Sequence, residues 1–443
     1  MNPITAVNID MLTTMGVAAL AIYLGNFLRK QFPILKKYCL PASVVGGTIF
    51  ALITYFLYAK GICEVKFDYR TTNTLFYNLF FAACGAGASM ALLKKGGKLV
   101  FIFVILAAVT AILQNVISVG IGQAMGINPL VALMTGSIPM TGGHGNAGSF
   151  APAALESMTK LANAANLAPD KLATLLKEIA PLREVALASA TFGLISGCLF
   201  GGPMGDFMVK KNHLQDPQLD GKSDVESGNV EEQIPIYKNR VIQAVLLLCL
   251  ASGVGAVIFK GYNVMRALPA FSFLKSLAIP IHVWCMLGGL IARLVLDKMP
   301  NKDNESFYEA IDTVGEFSLA IFVSLSIITM QFWQLSGLGI AMTAMLLAQL
   351  VFMLAFAYFL TFKLLGKNYD AAVMAVGHIG FGLGAVPVSM TTMETVCTKY
   401  RYSKLAFFVV PVVGGFISNL TNAAAISWFI SFCSELVLKR FGG

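Results

Sequence analysis

The sequence predicts an all-α polytopic membrane protein: ten transmembrane helices plus two re-entrant hairpins, in two inverted-topology repeats. Three observations carry that expectation. Hydrophobic residues fill 57% of the 443 positions and charged residues only 12%, against roughly 25% charged in a soluble domain. The runs Leu99 to Leu155, Phe317 to Phe362 and Leu405 to Ser434 contain no Asp, Glu, Lys or Arg. Each exceeds the ~20 residues that cross a bilayer once. Finally, one pattern occurs twice. Gly126-Ile-Asn128-Pro-Leu-Val-Ala132-Leu-Met134 returns as Gly366-Lys-Asn368-Tyr-Asp-Ala-Ala372-Val-Met374, with Gly, Asn, Ala and Met 240 positions on.

In the first half, crossing helices fall at roughly 8–28, 41–59, 74–93, 98–124 and 184–209. In the second they fall at roughly 239–259, 270–296, 310–333, 338–364 and 403–436. Basic residues sit in the short loops between them: Arg29, Lys30, Lys36 and Lys37 after the first; Lys94, Lys95 and Lys98 after the third; Lys210, Lys211, Lys238 and Arg240 around the centre; Arg293, Lys298 and Lys302 after the seventh; Lys363 and Lys367 after the ninth. All lie on one side if both termini are outside, and the positive-inside bias makes that side cytoplasmic. The net charge of +9 is thus a membrane-orientation signal and does not indicate nucleic acid. Eight scattered cysteines with no CxxC pair argue against a metal centre or a disulfide framework. The N-terminus has no basic n-region and reads as a retained first span.

Five crossings per half is an odd number, so the halves insert with opposite orientation. The repeats then cover 1–211 and 238–443. Between them, 212–237 is an acidic, polar linker that cannot bury a core. Two segments, about 128–156 and 370–397, have apolar arms around glycine-rich tips and read as hairpins, the first entering from outside and the second from the cytoplasm. Such backbone is tolerated at membrane depth only where protein or a water-filled cavity satisfies it. Pro41 before Gly46-Gly47 and Pro280 before Gly288-Gly289 give a weaker echo of the duplication. In 157–182, Asp170 can cap a short helix with Leu172, Leu175, Leu176 and Ile179 on one face. That helix lies in the membrane interface or packs over the first hairpin.

The tips are Gly142-Gly143-His144-Gly145-Asn146-Ala147-Gly148 and Gly377-His378-Ile379-Gly380-Phe381-Gly382-Leu383-Gly384. Glycine lets backbone approach a ligand closely. The half-helix after each tip offers free N–H groups and a positive dipole end to a carboxylate. Unpaired carbonyls before it suit Na⁺. The expected substrate contacts are Gly142, Gly143, His144, Gly145, Asn146, His378, Gly380, Gly382 and Gly384. His144 and His378 are read equally well as satisfied core residues or as groups that touch substrate or carry a proton. The expected cation ligands are Ser137, Thr141, Ser418, Asn419 and Asn422, the last three from a dense polar stretch in the final span. Ser389, Thr391 and Thr392 are weaker candidates. Ser324, Ser326, Gln331, Gln114 and Gln349 are expected to be interhelical hydrogen-bonding residues.

Of the charged residues, Arg183 and Glu184 suggest a pair at the outer interface. Arg293 and Asp297 are spaced for an i,i+4 pair. Glu316, one turn past Asp312, is an intramembrane acid or an interfacial one. Gly193, Gly197, Gly201 and Gly205 form a face for close packing or for holding the first hairpin.

These residues resemble the bacterial sodium/glutamate symporter family. The resemblance rests on Leu35 to Pro41 with Val45-Gly-Gly47, Gly136-Ser-Ile with Thr141 to Gly145, Ala190-Thr-Phe-Gly193 with Gly201-Gly-Pro203, Gly366 to Val373, Gly377-His378, Gly380 to Ala385 with Pro387, and Phe408-Val-Val-Pro411. It covers nearly the whole chain. It implies import of L-glutamate with Na⁺ across the bacterial inner membrane, a homodimer, and a moving substrate unit against a static scaffold. The family's tip residues map onto Gly142, Gly143, His144, Gly145, Gly380, Gly382 and Gly384. Other readings are a Na⁺- or H⁺-coupled symporter of another small carboxylate, a channel, and an intramembrane enzyme. No HExxH or Ser/His/Asp motif supports the last.

Overall fold

The computed structural model describes residues 5–37, 40–87, 90–214, 238–268, 279–298, 304–335 and 337–442. Helices cover at least part of each expected crossing segment, and among the described residues eight are long and apolar enough to span a membrane. They begin with α1 (Met11–Gln31), the short α2 (Pro33–Lys37), α3 (Ala42–Ala59), α4 (Arg70–Ala86) and α5 (Met90–Ala124). The third expected span is shorter than the sequence suggests, because α4 stops at Gly87 after 17 residues. The linker expected at 212–237 lies outside the described residues from 215 on, as does the start of the seventh expected span.

The chain is not wholly helical. A strand β1 (Ala6–Ile9) pairs in parallel with β2 (Glu64–Phe67). The first helix therefore starts later than expected. Asp10 caps it, accepting from the N–H groups of Leu12 and Thr13. The Thr13 hydroxyl and N–H hold the Asp10 carboxyl below the ordinary carboxylate range.

The first half of the chain continues through α6 (Pro129–Leu133), α7 (Ser137–Met140), α8 (Gly143–Ala164), α9 (Pro169–Ile179) and α10 (Leu182–Lys211). The second runs α11 (Lys238–Ala267), α12 (Ile281–Leu296), α13 (Asn304–Ile328), α14 (Gly339–Phe356), a π turn at Ala357–Thr361, α15 (Phe362–Leu364), α16 (Tyr369–Leu383), α17 (Val386–Lys399), α18 (Lys404–Val412), a π turn at Val413–Ile417 and α19 (Ser418–Phe441). Ala168, not Asp170, caps α9; Asp170 sits in its first turn, where a negative charge suits the dipole. Leu175 and Ile179 are fully buried, so α9 packs into the core with Met158 and Ala162 of α8.

Helices α1, α3, α4, α11, α12 and α13 pack into one bundle. Its two halves are built alike. A Cβ on Gly46 would stand 1.7 Å from the Ala21 carbonyl oxygen and 3.0 Å from the Gly25 nitrogen. A Cβ on Gly288 would stand 2.1 Å from the Ala251 oxygen and 3.1 Å from the Gly255 nitrogen. The pairs α1–α3 and α11–α12 thus cross through the same Ala-x-x-x-Gly against Gly contact, and each second helix begins after a proline, Pro41 or Pro280. Close backbone approach of this kind is how helices pack where no hydrophobic force distinguishes lipid from protein. The expected i,i+4 pair forms at the end of α12, Arg293 Nε lying 2.9 Å from Asp297. Asp312 and Glu316 both face outward from α13.

Apart from α2, which packs on α1, the remaining helices form a second bundle around α10, whose 30 residues span about 45 Å. Its glycine face carries mainly the second hairpin, with Met140 of the first reaching Gly193 as well. Cβ atoms on Gly193, Gly201 and Gly205 would meet the Leu383 oxygen at 2.1 Å, Thr392 at 2.8 Å and Val396 at 2.5 Å. The first hairpin packs mostly elsewhere on α10, through α7 and α8. Arg183, at the start of α10, joins the bundles. Its guanidinium donates to the Ser326 carbonyl of α13 at 2.8 Å and to the hydroxyl of Thr329, just past that helix, at 2.6 Å, and stacks on Tyr69. The arginine is thus committed to α13, and the buried Glu184 stays behind it.

Candidate functional site

Both hairpins start the same way. Gly126 has φ +73° and Gly366 φ +120°, the left-handed region that glycine tolerates. Two residues on, the Asn128 side chain accepts from the Leu130 N–H to open α6, and the Asn368 side chain accepts from the Ala371 N–H to open α16. The repeated Gly and Asn are therefore a turn and a helix N-cap, used once in each half.

The bases of the two hairpins lie at opposite ends of α10. At the start of α10, Asn128 donates to Glu178 of α9 at 3.0 Å, and Glu178 pairs with Arg440 of α19 at 3.5 Å. At the other end, Asp206 accepts from the Tyr400 hydroxyl at 2.6 Å and pairs with Lys399, just after the second hairpin. The hairpins meet between these ends. Gly143, at φ +57°, lies so close to the second tip that a Cβ there would stand 2.8 Å from the Gly384 carbonyl oxygen.

The first hairpin is broken twice. Its rising arm stops after α6, turns at Gly136, and resumes as the short α7. Asn115 of α5 holds that break, its Oδ1 accepting from the Ser137 N–H at 2.8 Å. The chain turns again at Thr141-Gly142, and α8 begins at Gly143. The first-turn N–H groups of α8 therefore stand at the contact between the tips. His144 lies in that turn, its Nε2 3.0 Å from the Thr191 hydroxyl of α10. Asn146 folds back over Gly142, and its Nδ2 has no acceptor among the described residues. Gly145 faces the Phe80 ring of α4.

The second hairpin turns at Gly384-Ala385 and continues as α17. Gly380 and Gly382 lie within α16, before the tip. A Cβ on Gly380 would fall 2.4 Å from the Ser389 Cα, so Gly380 lets the two arms cross. The Ser389 hydroxyl closes the same crossing by donating to the Gly377 oxygen at 2.7 Å. A Cβ on Gly382 would meet Met353 of α14. His378 is fully buried. Its Nδ1 lies 2.8 Å from the Thr361 hydroxyl and its Nε2 3.4 Å from that of Thr110. Phe103, Phe356 and Phe381 surround the ring. The sequence pattern joins His378 to the tip; the fold seats it in the core.

Polar side chains from α5, α14 and α19 converge on these breaks. Gln114 ties the hairpins together, accepting from the Thr141 hydroxyl at 2.7 Å and donating to the Gly382 oxygen at 2.7 Å. Gln349 of α14 donates to the Gln114 carbonyl and to Ser118, each at 2.7 Å. Ser118 lies 3.0 Å from Thr135 in the first break. From α19, Asn422 accepts from the Ser137 hydroxyl at 2.7 Å and donates to the Ser137 carbonyl at 3.1 Å. Ser418, one turn before Asn422, is buried and its hydroxyl has no partner among the described residues. It opens α19 directly after a π turn, a distortion frequent at functional sites.

Ser137 and Asn422 thus meet at the first hairpin, with Ser418 one turn away on α19 and Thr141 held by Gln114. Asn419 does not join them; it donates to the Gly415 oxygen of its own helix. Asn115 belongs to the site although it was not singled out in the sequence. Its signal is the adjacent amide pair Gln114-Asn115 in a charge-free span.

The family model for the sodium/glutamate symporter matches residues 7–402. A sodium/glutamate symporter of Haemophilus influenzae is 33% identical over 426 residues, covering 96% of this chain and 98% of the relative. One from Escherichia coli K12 is 32% identical over 423 residues, with the same coverage, as is one from Shigella flexneri. The matches run across both bundles and both hairpins. The chain belongs to the sodium/glutamate symporter family.

Proposed function

We propose that this protein imports L-glutamate together with Na⁺ by alternating access, and that the substrate binds where the two hairpins meet. The observation that carries the reading is the contact of Gly143 with the Gly384 carbonyl, at the start of one half-helix and the end of another. A zwitterion fits such a junction. Its carboxylate takes the N–H groups at the start of α8, and its ammonium takes carbonyl oxygens from the second tip. Ser137, Ser418, Thr141 and Asn422 supply neutral oxygens of the kind Na⁺ prefers, and Na⁺ bound there would brace the break in the first hairpin. Asn419 and His378 are left as structural residues.

In the same reading both hairpins are re-entrant in a bacterial inner membrane, and the chain crosses ten times with both termini outside. The bundle of α1, α3, α4, α11, α12 and α13 is the scaffold, contributed equally by the two repeats, and it supports a homodimer. The bundle around α10 carries the site and shifts against the scaffold in an elevator-like step. Inward movement of one net positive charge gains about 2.3 kcal/mol per 100 mV.

The test is flux of labelled glutamate and ²²Na⁺ into proteoliposomes. Uptake should saturate, require inward Na⁺, and cease when choline replaces it. Competition by unlabelled carboxylates separates glutamate from other small anions. Glutamate uptake that persists at full rate without Na⁺ would overturn the coupling.

A further inference from the structure

Two buried side-chain NH₂ groups beside the first hairpin have no acceptor among the described residues: Nδ2 of Asn146 and Nδ2 of Asn115. Asn146 is 2% exposed and Asn115 is fully buried. A buried donor without a partner is costly, so each calls for an acceptor. The short helix Ser137–Met140 separates the two.

The orientation of Asn115 is fixed by chemistry. Its Oδ1 lies 2.8 Å from the Ser137 N–H. That N–H can only donate, so the amide cannot be turned over. The free end of Asn115 is therefore its NH₂ group. Such a group repels a cation and offers nothing to an ammonium. It suits a ligand atom that only accepts, and a carboxylate oxygen suits it best.

Glutamate carries two carboxylates with different neighbours. The α-carboxylate comes with an ammonium, and the tip junction offers N–H groups and the Gly384 carbonyl together. The side-chain carboxylate has no donor of its own. We propose that Asn115 Nδ2 donates to the side-chain carboxylate of the substrate and so sets the preference for an acidic side chain. This rests on the reading that substrate binds at the hairpin junction. Asn115 then has two tasks on one amide: its oxygen caps the break in the first hairpin, and its nitrogen reads the ligand.

Asn115→Asp separates the tasks. It keeps an oxygen for the Ser137 N–H and replaces the donor with a second acceptor. An aspartate oxygen repels the glutamate side chain but accepts from the NH₂ of glutamine. The measurement is Na⁺-driven uptake of labelled glutamate and labelled glutamine by the full-length protein in proteoliposomes, with folding checked by size-exclusion chromatography. The glutamate KM should rise roughly ten- to a hundredfold, while glutamine uptake increases over the parent protein. Parent-like glutamate KM and glutamine uptake would overturn the proposal and leave Asn115 a cap alone. Equal loss toward both substrates would also overturn it. If Asn115→Asp does not fold, Asn115→Ser replaces it, and an unchanged glutamate KM there is the overturning result. Gly143→Val distinguishes the two levels. If it transports normally, the junction itself is wrong; if it is inactive while Asn115→Asp behaves as the parent, only the role of Asn115 fails.

Discussion

At Gly143 two demands coincide: a φ of +57° and a carbonyl oxygen 2.8 Å from where a Cβ would sit. Gly143→Val must leave the left-handed conformation and push the second tip away. Uptake should fall to background, and normal initial rates at normal expression would refute the tip contact. Asn422 makes a different demand. Truncation to alanine leaves both the hydroxyl and the carbonyl of Ser137 without the partners they have now. Each buried group left unpaired costs about 1–3 kcal/mol, so thermal stability should drop. If the same oxygens hold Na⁺, the half-saturating Na⁺ concentration for uptake should rise severalfold at saturating glutamate. A lower melting temperature with unchanged Na⁺ dependence would make the pair structural only. His378 shows the limit of reading residues one by one. Its glycine-rich surroundings matched those of His144, but α16 runs on past it to Gly384, and that added length seats the imidazole among three phenylalanines and two threonines.

The elements were legible wherever the two halves repeat a physical task. Gly126 and Gly366 turn the chain, Asn128 and Asn368 start a helix, and Pro41 and Pro280 open the crossing helices, so each recurring residue recurs with the same local task. Partner choice was not legible. The glycine face of α10 announces a close neighbour without naming it, because a glycine stripe presents bare backbone to whatever reaches it. The structure gives it mainly to the second hairpin. Its steps differ in tolerance. A Cβ on Gly193 would stand 2.1 Å from the backbone oxygen of Leu383, whereas one on Gly197 would stand 3.1 Å from the Val388 methyl Cγ1. Backbone cannot yield as a methyl group can. Gly193→Ala should therefore displace the second hairpin and abolish uptake, while Gly197→Ala keeps most of it. Equal rates for the two variants would mean that α10 and the hairpin are not packed as described. Asn115 was hidden for another reason. An amide in a charge-free span looks like interhelical hydrogen bonding, and only the break at Gly136 turns it into a cap.

On the scale of the whole molecule, the question is whether the two bundles slide. They touch where α8 passes α13: a Cβ on Gly148 would lie 3.2 Å from the Ser326 Oγ and 2.7 Å from the Phe322 ring. Arg183 fastens the same seam through Ser326 and Thr329. Apart from that arginine the seam is made of apolar and ring contacts such as Phe150 on His282, which can slide, whereas the tight helix crossings inside the six-helix bundle resist movement. The distance from Gly148 to Ser326 also suits a disulfide, in which a sulfur lies about 3 Å from the opposite Cβ. The double variant Gly148→Cys with Ser326→Cys should therefore cross-link under mild oxidation. If the site-bearing bundle must shift past α13 in each cycle, oxidation stops Na⁺-driven glutamate uptake and a reductant restores it. Each single-cysteine variant, treated identically, keeps its own rate and controls for the native thiols. A cross-linked protein that still transports at the reduced rate would show that the seam stays closed throughout the cycle. Access to the hairpin junction would then have to alternate within the second bundle alone.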